Sequence, residues 1–330
     1  MEQKIKTPLT EFFGIRHPIM LAPMDQIAGG RLAAAVSKAG GFGIIGGGYG
    51  NREWLEDQIQ LSHSLSNSPE ALENIGIGFI TWSLLKQPDL IDFTLAQAPR
   101  ALMVSFGDGE PIIDRAKTAG IPTIWQVQRV AMAEQAMNAG ADIIVVQGQE
   151  GGGHGMDRGL ISLLPAVRDA VGSDQILVAA GGISDGRGLT AALNLGADGV
   201  MLGTRLWASE EANGSGQAKQ RLVDSKGDDT VRSKVFDVAR GVDWPWHFTG
   251  RVVENDFLKQ WHGNTDALKQ QAEQERLRYL DSDPNDFSIR VSIAGECLDN
   301  IHSIKPAAAI IEEMVAESVK LLKQGGRFLL

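Results

Sequence analysis

Short apolar runs recur along the chain, and each follows a helical stretch that ends in glycine. The beat is visible at Lys38-Ala39-Gly40, Thr118-Ala119-Gly120, Asn138-Ala139-Gly140 and Asn194-Leu195-Gly196. A glycine just past a helix takes the left-handed C′ conformation at little cost. The apolar run that follows then reads as the next strand, so the pattern is β/α alternation around a parallel sheet. Eight such strands are predicted: 17–24, 41–47, 75–80, 101–106, 123–128, 142–148, 175–181 and 199–205. Their centres are Ile, Val, Leu, Met and Ala without polar alternation, as in strands covered on both faces. The expected fold is α/β, a (β/α)8 TIM barrel, with a doubly wound open sheet as the alternative.

The beat stops after the eighth strand. Residues 208–302 carry Trp244, Trp246 and Trp261, a polar helix around Asp266–Leu280 and a turn at Asp283-Pro284-Asn285. Pro306 then opens an apolar-periodic helix to about Lys323. The expected organisation is a barrel of residues 1–207 plus 303–330, with a smaller helical lid or substrate domain at 208–302 inserted before the last barrel helix. A terminal helix packed only on the lid is the other reading. For Trp244 and Trp246, packing in the lid core is favoured over a water-excluding lid surface.

Composition narrows the function. With 43% hydrophobic residues in 330, the chain can bury a large core. The net charge is −10, and no basic cluster interleaved with aromatics is present, so nucleic acid is not an expected partner. No run nears the roughly 18 apolar residues of a membrane span. Met1–Thr10 lacks an apolar signal core, and Cys297 is the one cysteine, so the chain reads as soluble and cytoplasmic. A homo-oligomer is compatible with all of this.

The chemistry-bearing stretch is Gln147-Gly148-Gln149-Glu150-Gly151-Gly152-Gly153-His154-Gly155, a flexible glycine loop at the end of the sixth strand. Glycines let backbone approach a ligand, and a histidine there can exchange a proton near neutral pH. Gln126 and Gln147 end strands five and six with amides suited to a flat heteroaromatic ring. Ala180-Gly181-Gly182-Ile183-Ser184 follows strand seven and Met201-Leu202-Gly203-Thr204 ends strand eight, where barrels often bind phosphate through backbone N–H groups. Gly41-Phe42-Gly43-Ile44-Ile45-Gly46 matches G-x-G-x-x-G, but its glycines fall inside a strand and not in a strand–helix turn, so a dinucleotide site is rejected. No strand contains a lysine for a Schiff base, and no metal-ligand spacing occurs. A phosphate grip, an amide ring and one histidine suggest a phosphate-bearing cofactor that carries the hard chemistry.

Taken in order, His17-Pro18-Ile19-Met20-Leu21-Ala22-Pro23-Met24, Gln126-Val127-Gln128, the Val146–His154 segment, Ala180–Gly188 and Gly203-Thr204-Arg205 resemble the nitronate monooxygenases, formerly called 2-nitropropane dioxygenases. Phe236-Asp237-Val238-Ala239-Arg240-Gly241 through Val252 also looks like that family's lid region. The resemblance implies FMN on a barrel and oxidation of alkyl nitronates, or nitroalkanes, by oxygen to carbonyl compounds and nitrite. It implies that Ala22, Pro23 and Met24 lie along the isoalloxazine and that Gln126, Gln147 and Gly152 contact the flavin. Gly181, Gly182 and Met201, Leu202, Gly203 and Thr204 would hold the ribityl phosphate. His154 matches the family's active-site histidine. At the end of strand three many members have Asn in the flavin environment, where this chain has Gly78. Related barrels share the loop, so an NAD(P)H-fed reductase of enoyl thioesters or quinones is a second reading. A flavin-free barrel binding a phosphorylated metabolite is a third.

Overall fold

Eight parallel strands run in the order β1-β9-β8-β6-β5-β4-β3-β2 in a computed structural model that describes residues 4–65, 75–245 and 247–325. They are β1 (Ile19–Leu21), β2 (Gly43–Gly48), β3 (Ile75–Ile80), β4 (Leu102–Ser105), β5 (Thr123–Val127), β6 (Ile143–Gln147), β8 (Ile176–Ala180) and β9 (Gly199–Leu202). A parallel bridge between Met20 and Phe42 closes the ring, with Phe42 N–H donating to Ile19 O at 2.8 Å and Leu21 N–H to Phe42 O at 2.9 Å. The TIM barrel expected from the alternation is the fold, and the open sheet is excluded.

Strand alternation sorts each side chain to one of two layers. Met20, Ile44, Met103, Ile124, Val145, Val178 and Met201 fill the lumen. Ile45, Val104, Trp125, Ile144, Leu177 and Leu202 face outward under the helices. The short helix Pro8–Phe13 plugs the N-terminal end of the lumen with Leu9 and Phe13, and Phe13 stacks on Phe42 at 3.9 Å. Thr7 and Thr10 cap that helix reciprocally, Thr7 N–H donating to Thr10 Oγ1 at 2.9 Å and Thr10 N–H to Thr7 Oγ1 at 3.3 Å. The β2 glycines serve packing: a Cβ on Gly43 would lie 2.2 Å from Ala33 O, and one on Gly46 2.4 Å from Met24 O.

The first and eighth strands fall furthest short of the pattern. The first strand covers only Ile19–Leu21 of 17–24, and the eighth stops at Leu202, because Gly203 turns the chain into the helix Thr204–Trp207. The glycine loop also differs from expectation. Its second half, β7 (Gly153–Gly155), is a strand in a small antiparallel sheet with β10 (Thr230–Ser233) and β11 (Thr249–Val253), in the order β10-β11-β7. Three residues of Gly-His-Gly have no strand signal of their own, and the ladder comes from β11.

Residues 208–302 thus contribute helices and two strands, β10 and β11, and β7 of the glycine loop adds the third strand. The inserted segment has its own apolar cluster, including Phe236, Phe257, Trp261, Leu268 and Tyr279. The polar helix expected around Asp266–Leu280 is two helices, Thr265–Gln270 and Ala272–Asp281, broken at Gln271. The last helix, Ala307–Gln324, packs on the barrel helices Gly186–Asn194 and Gly30–Lys38 and so belongs to the barrel's outer layer. Its Glu317 accepts from Gly186 N–H at 2.8 Å. No helix among the described residues is long and apolar enough to cross a membrane. Trp246 lies outside the described residues.

Candidate active site

The inward positions of the strands continue past the lumen to the C-terminal mouth, and there the alternation delivers Gln126, Gln147, Ala180 and Met201 into a cavity. Two cavities join at this mouth, an inner one of about 100 Å3 and an outer one of about 570 Å3. They share walls at Ala22, Met24, Gln126, Gln147 and Gly152. The outer volume is of the size that small-molecule sites have.

Glycines shape the inner cavity. Gly181 and Gly182 line it with φ of 106° and 72°, conformations that residues with a Cβ rarely adopt. At Gly203 a Cβ would stand 3.7 Å from Ala22 Cβ and 3.8 Å from Met24 Sδ, in space the cavity now occupies. Thr204 Oγ1 accepts from Gly295 N–H at 3.0 Å, which leaves the hydroxyl hydrogen free to donate. The Cys297 thiol also lines this end, and burial pushes it up to about 11, so it stays protonated at neutral pH.

The amide ring is a network. Gln126 Nε2 donates to Gln147 Oε1 at 3.1 Å and Gln128 Nε2 to the same oxygen at 2.8 Å. Gln147 Nε2 donates to the backbone oxygen of His154 at 3.1 Å. Gln128 Oε1 is buried without a partner. Together with the apolar Ala22-Pro23-Met24 wall, this arrangement could hold a flat heteroaromatic ring, with its phosphate on the glycines.

His154 lines the outer cavity. Its strand β7 pairs with β11 so that His154 stands opposite Gly250. The ring stacks on Trp244 at 3.4 Å and 6°, and its Nε2 lies 2.9 Å from Asp237 Oδ1. Trp244 Nε1 in turn donates to Tyr49 Oη at 2.8 Å. Burial lowers the His154 pKa below 6.5, with Arg240 and Arg232 adding to the depression and Asp237 opposing it. The ring is therefore neutral at neutral pH. Burial likewise raises Asp25 and Tyr49, with Arg240 pulling both down. Arg240 and Arg290 put two cations on the wall of this cavity.

Of the residues expected from sequence, Ala22, Met24, Gln126, Gln147 and Gly152 line both cavities. Gly181, Gly182, Met201, Gly203 and Thr204 line the inner one, and Pro23 and His154 the outer. Two expected residues line neither. Gly78 faces the back of Pro23, where a Cβ would lie 2.6 Å from Pro23 Cβ. Leu202 points into the outer helical layer and contributes its carbonyl, which accepts from Ala22 N–H at 3.0 Å. The favoured reading of Trp244 as lid core is corrected, since it is a wall of the cavity. Asp237, Tyr49, Phe106 and Arg290 were not singled out by sequence. Only the Phe236–Gly241 motif marked the first of them. Among the described residues no cluster of His, Cys, Asp or Glu could hold a metal ion.

A family model described as nitronate monooxygenase matches residues 6–75 and 87–317. A nitronate monooxygenase of Neurospora crassa is 30% identical, over 98% of this chain and 95% of its own. A (3aS,4S,5R,7aS)-5-hydroxy-7a-methyl-1-oxo-octahydro-1H-indene-4-carboxyl-CoA dehydrogenase of Rhodococcus jostii is 34% identical, over 77% of this chain and 67% of its own. Among solved structures, FabK from Thermotoga maritima superposes with a TM-score of 0.86 at 28% identity, covering 99% of this chain and 100% of that one.

Proposed function

The chain belongs to the nitronate monooxygenase family, and from that premise we propose that it oxidises alkyl nitronates with oxygen, to carbonyl compounds and nitrite, on an FMN held at the barrel mouth. The observation that carries this reading is the placement of a neutral, stacked histidine beside two arginines, directly above an amide-and-glycine cradle.

The residues present fit FMN. The positive-φ pair Gly181-Gly182, the open space at Gly203 and the free Thr204 hydroxyl hydrogen suit a phosphate. Gln126 and Gln147 suit the donors and acceptors of a flavin pyrimidine edge, and Ala22-Pro23-Met24 an isoalloxazine face. When bound, FMN supplies the electron acceptor and the route to oxygen. The protein's own share is positioning and electrostatics. Arg240 and Arg290 attract the nitronate anion, Trp244 and Phe106 exclude water, and His154 orients the nitro group. In this reading, residues 208–302 form a substrate domain on a barrel of 1–207 plus 303–330.

His154→Ala tests the role. The purified protein is expected to keep its yellow colour while kcat/KM with ethylnitronate falls about 10²-fold. An unchanged kcat/KM would remove His154 from the reaction. A second reading, NAD(P)H-fed reduction of enoyl thioesters, is favoured by the relative from Rhodococcus jostii that is named for a carboxyl-CoA compound. Anaerobic mixing separates the two, because bleaching of the flavin by ethylnitronate but not NADPH supports the first and the reverse supports the second.

A further inference from the structure

We propose that Asp237 is a positioning residue that fixes His154 in the tautomer with Nδ1 as the basic atom. The inference rests on the nitronate reading of the site.

Asp237 sits on the helix Val235–Arg240, which follows β10 directly, and His154 sits on β7 of the same small sheet. Both side chains are 10% exposed, and they meet at 2.9 Å. A carboxylate can only accept, so Nε2 carries the hydrogen and Nδ1 keeps its lone pair. Among the described residues, Asp237 is the one side chain bonded to the His154 ring. Among the described residues nothing bonds to Nδ1, and the ring lines the outer cavity. Trp244 against the ring face blocks reorientation. Among the described residues Asp237 Oδ2 is buried with no partner, an arrangement that a purely structural carboxylate would avoid. The charged groups acting on the ring are Asp237 and Arg240 from one helix and Arg232 from β10, and the Tyr49 hydroxyl stands behind Trp244.

The step is a proton transfer. The Nδ1 lone pair takes the α-proton of the nitroalkane. The C–H electron pair becomes the C=N π bond, and the N=O π pair moves to oxygen. The products are the nitronate anion and an imidazolium whose charge lies against Asp237. Burial disfavours that cation, and the carboxylate offsets the penalty as it forms.

The test compares wild type, Asp237→Asn and Asp237→Glu with nitroethane and with preformed ethylnitronate across pH. For Asp237→Asn, kcat/KM is expected to fall about 10²-fold with nitroethane and about tenfold less than that with ethylnitronate, which needs His154 only for orientation. Asp237→Glu should recover part of the nitroethane rate. Nitrogen NMR of the His154 ring in the apoprotein is the second readout. Wild type should show Nε2–H, and Asp237→Asn a mixture, because an amide can donate as well as accept. Equal losses with both substrates, or an unchanged tautomer in Asp237→Asn, would overturn the proposal. A wild type that oxidises ethylnitronate but never nitroethane would overturn it too. If wild type oxidises neither, the nitronate reading fails and the base role with it, while the tautomer measurement still decides whether Asp237 sets the ring.

Discussion

Gly78→Ala should transfer strain into the cofactor site. Gly78 has no positive φ, so backbone conformation alone would favour alanine by about 0.4–1 kcal/mol. Contact decides the other way. The new Cβ would lie 2.6 Å from Pro23 Cβ and 2.8 Å from Pro23 Cγ, with Ile44 Cγ2 at 3.4 Å. Carbon atoms rest about 3.5–4.0 Å apart, so the proline must retreat by about 1 Å. Its ring is rigid, and its free side is the outer cavity. In the apoprotein Pro23 can move into that space and relieve much of an overpacking cost of about 1–3 kcal/mol. In the proposed complex FMN pushes it back, and the cost then appears as binding. A loss of 1–3 kcal/mol raises Kd by about 5- to 150-fold. Titration of apoprotein with FMN, followed by quenching of flavin fluorescence, reads this directly, and urea unfolding with and without FMN completes the cycle. Gly78→Asn begins with the same Cβ, so the residue common in the family should not tighten FMN here. A Gly78→Ala protein that binds FMN as tightly as wild type, with unchanged stability in both states, would refute the reasoning.

Two further outcomes follow from the opposite end of the barrel and from the histidine. Arg168 ties the N-terminal rim, donating to Gly196 O at 2.9 Å, to Gly172 O and Gln175 O at 2.7 Å each, and to Asp198 Oδ2 at 2.8 Å. Arg168→Met should cost about 2–4 kcal/mol in urea unfolding yet leave kcat/KM within about twofold, because that face serves stability. The folded-state pKa of His154 is depressed below 6.5, so the unfolded chain binds the extra proton first. Stability is therefore lost as pH falls from 6.5 toward the folded-state value and levels off below it. Unfolding midpoints measured across that window should fall less steeply for His154→Gln than for wild type, and parallel slopes would contradict the depression.

Much of this was legible in the sequence because it is local. The glycine-punctuated apolar runs carry their own strand and helix-end signals, and alternation along Ile143–Gln147 delivers Gln147 to the mouth without further information. That Gly181, Gly182, Gly203 and Thr204 reach the inner cavity was readable for the same reason, since they follow strands directly. Gly78 and Leu202 line neither cavity, for different reasons. Leu202 is one position beyond the inward Met201 and must face out. Gly78 faces Pro23, a contact set by how β3 packs and not by its own pattern. Trp244 was misread because a tryptophan in a polar segment has no periodicity to say which surface it covers. The Pro8–Phe13 plug has the same difficulty, since nothing in six residues states that they close a barrel.

The least legible feature is the one on which the proposed chemistry most depends. His154 and Asp237 are 83 positions apart, and neither has a partner within its own motif. What joins them is register. β11 pairs with β7 at Gly250–His154 and with β10 at Gly250–Ser233, so one glycine stands beside both neighbours. The helix bearing Asp237 and Arg240 begins two residues after β10 ends. A side chain at position 250 would approach the His154 ring, whose Cε1 and Nε2 lie 3.7 Å from an added Cβ. The small sheet, which joins β7 of the glycine loop to β10 and β11, thus sets the distance between ring and carboxylate, while the barrel sets the cavity beneath. Substitutions in β10, β11 or the following helix should therefore change substrate handling and leave FMN affinity near wild type, and substitutions at Gly182 or Gly203 should do the reverse.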